Sequence, residues 1–212
     1  MALAPWSTVY PDVTPFAMGC PYPVIDNAIR NAVIEFCDFS LAYQVDLPVI
    51  VTADDTPTYA MSYDANTNVA DVVTVRTDSR RLTPMLTANR SDGGELWEVR
   101  KGGEPLEYFL TDPNTLRLLP IPDGAYNVYV KAALKVLRSA TGVEAWLLEQ
   151  YRDVIVAGTL SQVLRMNGPW KDPNEAQARK SEFEAGKGQG RIDALKNFTR
   201  ASVIVQPRAF GK

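Results

Sequence analysis

From residue 24 to 39, in "VIDNAIRNAVIEFCDF", apolar positions return every three or four residues. Ile25, Ala28, Ile29, Ala32, Val33 and Phe36 share one face, and Asp26, Asn27, Arg30, Asn31 and Asp38 fill the other. That spacing predicts an amphipathic helix, ending near Tyr43. A second stretch, "VEAWLLEQYRDVIVAGTLSQVLRM", is apolar on nearly all sides between Val154 and Leu164, as a central, buried helix must be. Ile29, Val33 and Phe36 are expected to pack on Val154, Ile155 and Leu160. Gly168 and Pro169 then stop the helix. Asp172 can cap the next one, Pro173 suits its first position, and Glu175 stands three residues after the cap. A polar helix is expected from there to about Arg200. Trp170, in the gap, reads chiefly as the plug of that corner.

Between Val45 and about Leu137 the pattern turns β-branched and short-period. Asn66-Thr67-Asn68, Asp92-Gly93-Gly94, Gly102-Gly103 and Asp123-Gly124 punctuate it at hairpin spacing. Six or seven antiparallel strands are expected, with "TLRLLPIPDGAYNVYVKAAL" pairing two of them around Pro-Asp-Gly. Residues 1–23 hold Trp6, Tyr10, Pro11, Pro15, Phe16, Pro21, Tyr22 and Pro23, which reads as an ordered extended arm. The resulting fold class is α+β: a small helical bundle with an inserted antiparallel β domain, an extended N-terminal arm and a C-terminal tail. The divisions fall at 1–44 (arm and first helix), 45–137 (β domain), 138–200 (central and last helices) and 201–212 (tail).

Composition narrows the chemistry. The 212 residues carry a formal net charge of −3, so no overall basic field recruits nucleic acid. No apolar run approaches the roughly 18 to 20 residues that span a membrane, and the first residues lack a secretory pattern; a cytoplasm-like compartment is expected. Cysteines occur at 20 and 37 only, and Cys37, beside Phe36, reads as a buried free thiol. There is no histidine. The commonest general base, the usual partner of a Ser or Cys nucleophile and the commonest zinc ligand are therefore missing. No catalytic, cofactor or metal residue is assigned, and the expectation is a protein that is not an enzyme.

Weaker signals have plain readings. "GKGQGR" at 186–191 has no strand before it and no Ser or Thr after its lysine, so it is not a phosphate loop. Its glycines predict either a bend or close packing against a neighbour. Asp54-Asp55 look like a turn, and Glu144 and Glu149 decorate a helix. "DANTNVAD" at 64–71 lacks the Gly and terminal Glu of a calcium loop and reads as a hairpin turn. Arg76, Arg80, Arg81 and Arg90 make a local basic patch, a solvated edge before it is a contact for nucleic acid or an acidic partner.

Four segments in order, "CPYPVIDNAIRNAVIEFC" (20–37), "GGEPLEYFLTDPNTLRLLPIP" (102–122), "VYVKAALKVL" (128–137) and "YRDVIVAGTLSQVLRMNGPWKDPNEAQARKSEF" (151–183), resemble the head-to-tail adaptor (connector) proteins of tailed bacteriophages. The glycine triplet departs from the small helix formers expected there. The resemblance implies a structural virion protein, made in the host cytoplasm and placed at the head–tail junction. Copies form a ring, usually twelve, between the portal and the first tail (nozzle) component. The ring extends the channel for passing double-stranded DNA without binding it specifically, and offers the tail a platform.

The resemblance also gives surfaces a role. In related adaptors the C-terminal segment commonly reaches the portal, so Val203, Ile204, Val205, Pro207, Arg208 and Phe210 are candidates for docking on the portal, or second on a neighbouring subunit. Three β-branched residues suit an added strand, Pro207 stops a helix, and Phe210 is an anchor. Trp6, Tyr10 and Trp170 are candidate inter-subunit residues. Glu175, Glu182 and Glu184 are candidates for a luminal or inter-subunit face. The rival reading is a carbohydrate- or peptide-binding β module with an aromatic groove around Trp97, Tyr108 and Tyr126. A hydrolase would need an Asp/Glu pair that nothing in the pattern marks.

Overall fold

A computed structural model of the chain describes residues 3–85 and 102–198. The first described residues form strand β1 (Leu3–Pro5), a 3-10 turn (Trp6–Val9) and the one-turn helix α1 (Tyr10–Val13). The expected extended arm is therefore largely coiled. Pro11 lies in the first turn of α1, where its missing N–H is no loss, so its presence does not force extension. Arg152 holds these turns down, donating to the Asp12 carboxylate at 2.7 Å and to the Thr8 carbonyl at 2.6 Å.

Helix α2 (Tyr22–Ser40) buries the six apolar positions read from its period, and ends three residues earlier than expected, where Leu41 turns left-handed at φ 54°. The apolar run after residue 142 is not one helix. It comprises strand β10 (Gly142–Glu144), helix α3 (Ala145–Gln150) and helix α4 (Arg152–Val163), with Tyr151 at φ −116° between the two helices. Strand β10 pairs antiparallel with β1. Helix α5 (Pro173–Leu195) follows. Helix α4 is buried on nearly all sides, and Gly158 shows why it can be: a Cβ there would lie 2.7 Å from the Phe183 ring of α5 and 3.0 Å from Ala32 of α2. Phe36 is fully buried, its ring 4.6 Å from that of Tyr151. Val154, expected against α2, instead lies against Gly186 of α5.

The glycine triplet does not interrupt α5. Gly186 makes room for Val154 and Gly190 for Phe36, with added Cβ atoms meeting them at 2.6 and 2.8 Å, whereas Gly188 meets nothing within 4 Å. Gly188→Ala should therefore raise stability by about 1 kcal/mol through helix propensity alone. Gly186→Ala should lose that gain to crowding, which costs roughly 1 to 3 kcal/mol. Thermal melting of the two variants checks this, and equal shifts would contradict it.

Among the described residues, eight strands occur between 44 and 136: β2 (Gln44–Asp46), β3 (Ile50–Val51), β4 (Thr58–Ala60), β5 (Thr67–Thr77), β6 (Thr83–Pro84), β7 (Glu107–Asp112), β8 (Thr115–Leu119) and β9 (Asn127–Val136). In one sheet β9 pairs with β5 and with β2 and β3, all antiparallel. The other runs β4-β8-β7-β6, with β6 parallel to β7. The pairing thus departs from an all-antiparallel domain, and β8 and β9, expected as a hairpin, lie in different sheets. Pro120 and Pro122 between them have no N–H to continue a ladder. The turn at 64–67, where Asp64 accepts the Asn66 N–H at 2.7 Å, likewise joins strands of different sheets. Among the described residues the local hairpin is β7–β8, closed over Pro113-Asn114 by the Asp112 carboxylate accepting the Asn114 N–H at 2.8 Å; the turn read at Asp92-Gly93-Gly94 lies outside them.

One core runs through helices and sheets, including Phe36, Ile155 and Leu160 as well as Val75, Leu118 and Val130. Burial, with the Asp38 charge second, pushes the Cys37 thiol up to about 12. Burial and then the Asp26 hydrogen bond push the Tyr10 hydroxyl up to about 12. Burial raises Tyr43 and Tyr151 as well. Each group holds its proton more tightly folded than unfolded. Their contribution is full below about pH 9 and is lost as pH rises through the folded values. Urea midpoints should fall between about pH 8 and pH 11; unchanged midpoints would contradict the burial.

Candidate assembly surfaces

Several polar groups on the described surface hold the fold together. No three His, Cys, Asp or Glu residues converge among the described residues. Glu144 accepts the Trp146 indole N–H at 2.6 Å. In the arginine patch, Arg76 lies 4.2 Å over the Tyr129 ring and Arg80 pairs with Glu104 at 3.3 Å; Arg90 lies outside the described residues. Tyr108 is buried and offers no platform, and Tyr126 donates to Asp123 at 2.7 Å. Trp97, the third aromatic of the rival groove, lies outside the described residues.

The joint before α5 forms as its residues dictate. Asp172 accepts the N–H groups of Asn174 and Glu175 at 3.0 and 3.1 Å. Glu175 does not close a capping box, because the Asp172 N–H goes to the Leu164 carbonyl at 3.0 Å. Trp170 folds over Gly168, where a Cβ would lie 2.6 Å from its ring, and packs on the core with its indole N–H buried and unbonded. Trp6 is inside the protomer, 3% exposed, donating to the Ala140 carbonyl at 3.0 Å. Burial there removes it from any surface. Tyr10 donates to Asp26 at 2.6 Å and stacks on Tyr22, with ring centroids 4.7 Å apart.

The three candidate glutamates lie on α5, each beside a cation of its own chain. Arg179 bridges Glu175 at 2.8 Å and Glu182 at 3.0 Å. Lys187 reaches Glu184 at 3.0 Å and Glu35 of α2 at 2.6 Å. Its side chain is buried between the Phe39 and Phe183 rings. The helix therefore presents a balanced face rather than an acidic one.

Large apolar groups are exposed at both ends of the helices: Phe16, Met18 and Tyr22 before and at the start of α2, and Phe39, Ile192 and Leu195 at its end and that of α5. Sequence reading missed Ile192 and Leu195, because α5 is polar on average and two apolar residues do not disturb that average. The tail candidates Val203, Ile204, Val205, Pro207, Arg208 and Phe210 lie outside the described residues.

The family model described as SU10 adaptor protein matches residues 7–206. The chain belongs to this family of phage head–tail adaptors. The match takes in the four quoted segments, helices α1 to α5 and both larger sheets. No curated protein matches the chain. The role of this adaptor is structural, as a component of a phage particle. Among its described residues no helix is long and apolar enough to cross a membrane.

Proposed function

We propose that copies of this adaptor form a ring, of twelve subunits, between the capsid portal and the first tail component. The ring extends the DNA channel and presents the platform to which the tail attaches. The family match across 7–206 carries this reading. It is supported by Phe16, Met18, Tyr22 and Phe39, apolar groups left exposed at the two ends of α2, as an obligate assembly requires. The helical bundle (1–44 and 138–200) forms one working part and the inserted β domain (45–137) the other, with residues 201–212 reaching the portal. Tyr10 and Trp170 stand at the subunit joints. Glu175, Glu182 and Glu184 face the lumen or a neighbour, where their paired cations leave a nearly neutral wall. A conduit needs that neutrality, because phosphate contacts would add affinity with a steep salt dependence.

The test is to mix the adaptor with its cognate portal, then image the complex and measure duplex binding. A ring seated on the portal, with no salt-sensitive DNA affinity, is the expected result. Absence of any complex with the portal would overturn the ring, and tight salt-sensitive binding of duplex would overturn the neutral wall.

A further inference from the structure

The outward face of α5 carries a seam that the described residues of its own chain leave bare. Ala178, Ser181, Ala185, Gly188, Ile192 and Leu195 recur at alternating intervals of three and four residues, the spacing of a coiled-coil stripe. Five of them are exposed and Gly188 is half-buried. Ile192 is 43% and Leu195 70% exposed. The open space above Gly188 contrasts with Gly186 and Gly190, each filled by a side chain of its own protomer.

The seam is graded in two ways. Its first half is small (Ala178, Ser181, Ala185) and its last positions are large (Ile192, Leu195). Glu182 and Glu184 flank the small half, while Arg191 and Lys196 flank the large one. Two such helices laid antiparallel put large on small and acidic beside basic, at both ends at once. A parallel pair would set Ile192 and Leu195 against themselves, leave a gap between the small halves and align like charges. Glu182 and Glu184 are about half exposed beside Arg179 and Lys187, so across the seam their charge chooses orientation more than it adds affinity.

We propose that a second copy of this chain covers the seam, α5 antiparallel to α5, as a two-fold dimer of the free adaptor. Such a contact is isologous and closes on itself, so it is not the contact that repeats around a polar ring. The dimer goes beyond the ring reading. It is a waiting form that hides Ile192 and Leu195 and opens when subunits join the portal.

The two natural cysteines are buried, so introduced thiols report the pairing. Ser181→Cys mixed with Ile192→Cys under mild oxidation should cross-link one variant to the other, with little product from either alone. Leu195→Asp, at an exposed position, should keep its melting temperature and weaken dimerisation roughly 100-fold or more. It should still form rings on the portal. Cross-linking of Ser181→Cys to itself would overturn the antiparallel order, and a monomeric wild type without cross-links would overturn the dimer. Loss of both dimer and ring in Leu195→Asp would assign the seam to the ring and overturn the waiting form. A wild type that dimerises but builds no ring would sink the ring reading alone.

Discussion

Phe36→Ala is expected to cost roughly 3 to 5 kcal/mol of folding stability. The side chain has no exposed surface and meets three elements at once: its own helix α2, the Tyr151 ring before α4, and α5 at Gly190. What sets the cost near the top of the range for such truncations is the glycine opposite. A neighbouring leucine could lean into the space left by the ring, but Gly190 has no side chain to move. The cavity stays open, and an open cavity adds to the lost transfer free energy. Against a total of about 5 to 15 kcal/mol for a domain, that is a large share. Chemical denaturation of Phe36→Ala beside Phe36→Leu measures it, the leucine variant losing less. A loss below about 1 kcal/mol for the alanine would remove Phe36 from the core.

Ending the chain at Arg200 is expected to abolish portal binding without lowering the melting temperature. The last buried residue described is Ala194, so no described core residue is lost with 201–212. What is lost is a run suited to adding a strand to another sheet's edge, Val203-Ile204-Val205. Pro207 bars it from extending α5, and it carries the anchor Phe210 with the cations Arg208 and Lys212. The family match continues to residue 206, so half of this tail belongs to what defines the family. Co-sedimentation with portal is the direct measurement. Normal co-sedimentation of the shortened chain would retire the docking tail, and a lowered melting temperature would show instead that the tail serves its own protomer.

Helices were legible where a single face decides. The six buried positions of α2 stand at their read spacing, and Asp172 with Pro173 marked the start of α5. The strands were legible as strands but not in their pairing: a period of two says which residues alternate and nothing about the neighbour. Hence β8 and β9 looked like a hairpin and belong to different sheets. At the N-terminus, aromatics announced burial, which Trp6 shows, but proline suits an extended chain and a first helical turn equally. The glutamate face was half legible. Glu175 and Arg179 are four apart and meet on any helix, whereas Lys187 meets Glu35 across 152 positions of sequence, a separation no local pattern reports.

That separation also governs how the protein is born. Helix α2 leaves the ribosome early, yet the helices that cover its apolar face, α4 and α5, are the last described elements to be made. At about 5 to 20 residues per second, the wait from Ser40 to Ala194 lasts roughly 8 to 30 s. During it, Ile29, Val33 and Phe36 have no native partner among these helices, and β1 waits likewise for β10. Contacts so distant in sequence form slowly even in the finished chain. The nascent adaptor thus carries an uncovered apolar face until its last third follows its first, the period in which such a chain is most open to aggregation.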